Sequence, residues 1–79
     1  MSYIDNIMVD IKSIGNEIRV ARKMNRLTQE ELALIASVSR FLVNRLENGS
    51  GNVQMASLLK ITEALGLEVK ISWKAPKLG

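Results

Sequence analysis

Residues 37 to 49 read SVSRFLVNRLENG, and one side of that stretch carries side chains suited to recognition. With Ser39 as its cap, the stretch is predicted to be a helix whose Leu42, Val43 and Leu46 recur at the spacing of a core-facing stripe. Arg40, Phe41, Asn44, Arg45 and Asn48 share the opposite side. Two guanidinium forks and two carboxamides thus surround the single Phe of the chain. Such a set makes hydrogen bonds in pairs and offers one apolar contact, but contains no nucleophile and no proton carrier that works near neutral pH. Its chemistry is binding.

Catalytic parts are missing elsewhere too. The 79 residues include no His and no Cys, which removes disulfides, thiolate and imidazole metal ligands, and the commonest general base. No glycine pattern for phosphate and no cluster of acids stands in for them, so no catalytic constellation can be assembled. The chain is expected not to be an enzyme and to hold neither metal nor cofactor. A net charge of +3 and a pI of about 9.6 suit a polyanionic partner without requiring one. No apolar run approaches the roughly 18 residues of a membrane span. The opening MSYIDNIMVDIK has acids where a secretory signal carries positive charge. A cytoplasmic protein with no membrane partner is the expectation.

The elements that would hold the binding side follow from periodicity. Ile4, Ile7, Ile11, Ile14, Ile18 and Ala21 alternate at spacings of three and four, a stripe that serves a core or a self-association seam. Helix is predicted over about 11 to 25, with residues 1 to 12 as a helical extension, continuous or separate. Asp10 or Ser13 could cap a second helix there, and Gly15 weakens continuity by about 1 kcal/mol. In RLTQEELALIAS, Thr28 followed by Glu31 is a capping box, opening a short helix buried through Leu32, Ile35, Ala33 and Ala36 and ending near Ser37. About two residues then lead into the helix capped by Ser39, the layout of a helix-turn-helix. Gly49 closes that helix, and Ser50, Gly51 and Asn52 form a turn. Met55, Leu58, Ile61 and Leu65 define a last helix stopping at Gly66.

After Gly66 the period changes. LEVKISWK alternates Leu67, Val69, Ile71 and Trp73 with polar residues, as a half-buried strand does. No other segment reads as extended, and a lone strand leaves its backbone groups unpaired. Residues 67 to 74 are therefore expected to pair antiparallel with a second copy across a two-fold axis. Residues 75 to 79 are expected to be a flexible tail. One domain at this size gives only marginal stability from its own core, which also favours a homodimer.

LTQEELALIASVSRFLVNRLENG, with Arg22 before it and LLKITEALG after it, resembles the helix-turn-helix of the Cro/C1-type phage repressor family over residues 13 to 66. The resemblance rests on Gln29, Leu32, Ala33, Val38, Val43, Leu46 and the ENG triplet. The LEVKISW that follows is similar to the HipB-type antitoxins of that family. What the resemblance implies is a mainly α, lambda-repressor-like domain of four to five helices, with one C-terminal β-strand paired across a dimer. It also implies a repressor that binds a palindromic DNA operator at half-sites about one helical turn apart, or a multiple of that. The HipB likeness adds a toxin–antitoxin operon that represses itself and a HipA-like kinase as partner. A stand-alone or phage-type regulator is the nearest alternative, and a protein-interaction module that has lost DNA binding a more distant one.

On that resemblance Arg40, Phe41, Asn44 and Arg45 fall where the family reads bases. An arginine fork can take guanine O6 and N7 together, an Asn can reach adenine or a phosphate, and an aromatic ring can rest on a thymine methyl. Gln29, Asn48, Ser50 and Asn52 are the phosphate candidates, Gln29 standing at the positive end of its helix, and each could serve instead as cap or turn former. Arg22 and Glu47 occupy family positions that pair as a partly buried ion bridge. Two departures stand out. Ser37 and Arg26 occupy positions where the family usually has Gly, and a non-Gly residue in the left-handed region costs on the order of 1 kcal/mol. Asn25 is expected to take the left-handed role beside Arg26.

Overall fold

The computed structural model describes residues 11–50 and 52–70. They form four helices: α1 (Ile11–Met24), α2 (Gln29–Ala36), α3 (Arg40–Glu47) and α4 (Met55–Leu65). Residues 1–10 of the expected N-terminal extension, Ile71 and Trp73 of the expected strand, and the tail 75–79 lie outside the described residues. The capping box at Thr28 is complete: its Oγ1 accepts from the Glu31 amide at 3.0 Å, and its own amide donates to Glu31 Oε1 at 2.8 Å. Ser39 Oγ accepts from the Leu42 amide at 3.0 Å and fixes the start of α3.

Each of the four helices ends in the same way. The residue past the last turn takes a left-handed conformation, at Arg26 (φ 57°), Ser37 (φ 59°), Gly49 (φ 70°) and Gly66 (φ 75°). The following amide reaches back five residues: Leu27 to Arg22, Val38 to Ala33, Ser50 to Arg45 and Leu67 to Thr62, at 2.8 to 3.1 Å. This is the Schellman closure, whose usual companion is an apolar residue at the last position folded onto the helix. Leu27, Val38 and Leu67 do pack against the core. Arg26 itself, not Asn25, adopts the left-handed backbone, correcting the expectation. Asn25 stays with α1, its side-chain Nδ2 donating to Ala21 O at 2.7 Å.

The core lies where the helices meet. Ile18, Leu32, Val43, Leu46 and Ile61 are fully buried, with Leu58 and Leu65 nearly so. α1 packs on α3 and α4, and α2 packs on the same two helices. Gly15 explains how α1 and α3 come so close, because a Cβ there would stand 2.0 Å from the carbonyl oxygen of Leu46. The residue that weakens α1 as an isolated helix is the one that lets it dock. In α2 the inward side is Leu32, Ala33 and Ala36, while Ile35 is 58% exposed, contrary to expectation. Packing over two alanines rotates a two-turn helix so that Leu34 and Ile35 face outward. Met55, at the open first turn of α4, is also exposed.

The expected dimerisation strand is not present in the part that is described, as Leu67 to Lys70 form no strand. Leu67 is committed elsewhere: its amide donates to Thr62 O at 2.8 Å and its side chain packs on the core, so it completes the end of α4. Val69 is exposed. A ladder needs a second backbone edge, which this segment does not find among the described residues.

Candidate nucleic-acid interface

α3 divides as its sequence suggests. Val43 and Leu46 are fully buried and Leu42 is half-buried, whereas Arg40, Phe41, Asn44 and Asn48 are exposed. Phe41 and Arg45 are one helical turn apart, and the Arg45 guanidinium carbon lies 5.4 Å from the centre of the Phe41 ring. At an exposed site such a contact contributes about 0.5–1 kcal/mol. It also biases the fork toward the Phe41 ring before any ligand arrives. Neither Arg40 nor Arg45 pairs with a carboxylate among the described residues. Phe41 adds nothing to the core from where it stands.

The opposite arrangement holds at the C-terminal end of α3. Glu47 is buried, and Arg22 grips it with both sides of its fork, Nε to Oε2 at 2.6 Å and Nη2 to Oε1 at 2.9 Å. The third Arg22 nitrogen donates to Leu27 O at 2.8 Å, which ties the bridge to the turn after α1. Arg19 adds a bond to the backbone oxygen of Glu47 at 2.8 Å, with its Nε 3.7 Å from Oε1. Burial pushes the Glu47 carboxyl upward. The hydrogen bonds from Arg22 and Gln29, with the charges of Arg22 and Arg19, outweigh that and hold it below the ordinary glutamate range. Arg22 is shifted upward by its bond to Glu47, against the opposing effect of burial. The expected ion bridge is therefore present, bidentate and largely removed from water.

Gln29 links the two arrangements. Its Nε2 donates to Glu47 Oε1 at 3.1 Å, its Oε1 accepts from Asn44 Nδ2 at 3.3 Å, and Asn44 Oδ1 accepts from Asn48 Nδ2 at 3.2 Å. Residues expected to pair ions, touch phosphate and read bases thus belong to one connected row. Ser50 lies at the end of α3, its hydroxyl donating to Arg45 O at 3.4 Å. It is a polar residue in the closure where the other three helices have Leu, Val and Leu, so this helix end faces solvent. Asn52 is exposed on the loop and makes no bond into the row. Sequence reasoning missed Arg19 and the close approach at Gly15. The signal for Arg19 was available, since it stands three residues before Arg22 on the same side of α1. The Gly15 contact spans α1 and α3 and had none.

Two short helices joined by a left-handed turn, the second clamped from behind by a buried ion bridge and uncovered in front, define a helix-turn-helix protein. The chain belongs to the Cro/C1-type helix-turn-helix family, and the helix-turn-helix family model matches residues 18–71. It is 39% identical over 59 residues to an uncharacterized HTH-type transcriptional regulator, y4mF, of Sinorhizobium fredii, spanning 73% of this chain and 76% of that one. It is 33% identical over 70 residues to the control protein C.SmaI of Serratia marcescens, spanning 87% and 83%. Its fold is similar to the crystal structure of the restriction-modification controller protein C.AhdI from Aeromonas hydrophila. The TM-score is 0.69 at 33% identity, covering 73% of this chain and 88% of that one.

Proposed function

We propose that this chain is a sequence-specific DNA-binding transcriptional regulator that acts as a homodimer on a palindromic operator and carries out no catalysis. The observation that carries the proposal is the front of α3. Arg40 and Phe41 are exposed there and Arg45 is half-buried beside them, with no carboxylate among the described residues to occupy the guanidinium groups. In a major groove the two forks suit guanine edges and the Phe41 ring suits a thymine methyl. Gln29, Asn48 and Ser50 border the same side and suit phosphate oxygens, which fix register without reading sequence. A protein-interaction module has no need of two unpaired cations at this place.

The names of the relatives, a transcriptional regulator and two control proteins, favour a stand-alone regulator over an antitoxin with a HipA-like kinase partner. Operator symmetry and small domain size support the homodimer, and the described residues 67–70 form no strand that would add to that. No helix among the described residues is long and apolar enough to cross a membrane.

The test is fluorescence anisotropy of the full chain on the DNA upstream of its own gene and on a scrambled duplex, at several salt concentrations. The upstream DNA is expected to bind at least about 10³-fold more tightly, with affinity falling steeply as salt rises. Equal binding of both duplexes would refute sequence-specific reading.

A further inference from the structure

Three of the residues placed against DNA are connected to one buried charge that cannot touch it. The Glu47 side chain is 1% exposed, and an ionised carboxylate only accepts hydrogen bonds. The amide beside it must therefore present nitrogen, as Gln29 does at 3.1 Å. That leaves the Gln29 oxygen facing Asn44, which must answer with nitrogen, at 3.3 Å. The Asn44 oxygen then faces Asn48, which answers with nitrogen in turn, at 3.2 Å. Reversing any one amide would set oxygen against oxygen or nitrogen against nitrogen. The polarity of the row is set at its buried end and passed outward.

We propose that Glu47 is a positioning residue for recognition: through Gln29, its carboxylate fixes which way the carboxamides of Asn44 and Asn48 face, and with that the hydrogen bonds they offer a nucleic acid. The consequence rests on the DNA-binding reading above, whereas the relay itself rests on the hydrogen bonds alone. A free carboxamide can present donor or acceptor by turning over, so it discriminates poorly. A fixed one cannot turn, and Asn44 becomes a selective reader because a distant charge holds it. Arg45, held instead by the Phe41 ring, is independent of the relay.

The relay is tested by the side-chain NH₂ signals of the full-length chain in ¹H–¹⁵N NMR spectra. Gln29→Met cuts the row at its link to Glu47 and leaves both Arg22–Glu47 hydrogen bonds in place. The Asn44 and Asn48 signals are expected to move toward that of exposed Asn52, while Asn25, bonded within α1, stays in place. Unmoved Asn44 and Asn48 signals would overturn the relay. A second variant, Arg19→Met and Arg22→Met combined with Glu47→Gln, removes the carboxylate together with both arginines that face it and leaves no stranded ion. An amide at position 47 can face either way, so Asn44 and Asn48 are expected to lose their distinct positions, and retention of those positions would also overturn the relay.

In the same triple variant, anisotropy on operators altered one base pair at a time is expected to show discrimination at the pair facing Asn44 reduced about tenfold. Discrimination at pairs facing Arg40 and Arg45 is expected to be unchanged. Full discrimination facing Asn44 would overturn the recognition role of Glu47. Failure of the unaltered chain to prefer its operator would instead strike the DNA-binding reading, on which the NMR result does not depend.

Discussion

The two ends of α3 are held by different means. At its C-terminal end Glu47 is gripped by Arg22, Arg19 and Gln29 from two other helices. At its N-terminal end the backbone is held by the Ser39 cap, while Arg40 and Phe41 project into solvent. The contrast shows how a two-turn helix can be both fixed and available. Its buried stripe of Val43 and Leu46 and its clamped end set its position, so the front residues are not needed for folding. They can be chosen for what they bind.

The sharpest way to break this contrast is at the clamped end. Arg22→Met strands the Glu47 charge in the interior and is expected to cost about 3–5 kcal/mol in urea unfolding, as for other broken buried pairs. The same bridge gives a pH signature. Above the ordinary glutamate range, about 4.3, Glu47 is ionised in both folded and unfolded chains and the stabilisation is complete. As pH falls below that range the unfolded chain binds the proton first, so stability declines until the lower folded-state value is passed. In Glu47→Gln this part of the acid limb is expected to vanish from the stability curve.

Gly15→Ala tests the same end from α1. In an open helix the change would add about 1 kcal/mol of stability. Here the new methyl meets the Leu46 carbonyl, so a loss of about 3 kcal/mol is expected in thermal or urea unfolding. A gain in stability would show that α1 does not approach α3 as described.

At the open end the expected effect is on binding alone. Arg45→Ala should leave the unfolding midpoint nearly unchanged, weaken operator binding by about 1–3 kcal/mol and relax selection at one base pair. A large loss of stability in that variant would erase the distinction between the two ends. The smallest effect is at the turn before α3. Ser37→Gly relieves a left-handed backbone at φ 59° and is expected to raise stability by up to about 1 kcal/mol without changing operator choice.

What the sequence made legible was local. Thr28 with Glu31, Ser39, Gly49 and Gly66 mark helix ends because a cap is satisfied within a few residues of itself. The division of α3 into Val43 and Leu46 on one side and Arg40, Phe41 and Asn44 on the other follows from helical geometry alone. The bridge between Arg22 and Glu47 was legible through the family resemblance, since nothing in the spacing of 25 residues announces it. Other features depended on neighbours. Ile35 has the periodicity of a core residue, but α2 packs over Ala33 and Ala36. Leu67 has the alternation of a strand residue but is the apolar closure of α4. Arg26 took the left-handed position that Asn25 is chemically better suited to, because the closure of α1 falls at 26.

By itself the sequence determined where helices begin and end, which side of α3 is apolar, and that no His or Cys is present. These depend on interactions within a turn or two, or on composition. Only the tertiary structure decided that Gly15 is a contact surface, that Arg19 joins the clamp, and that Glu47, Gln29, Asn44 and Asn48 form one row of fixed polarity. Each of these depends on atoms brought within a few ångströms from residues distant along the chain, and such distances are set when the helices pack.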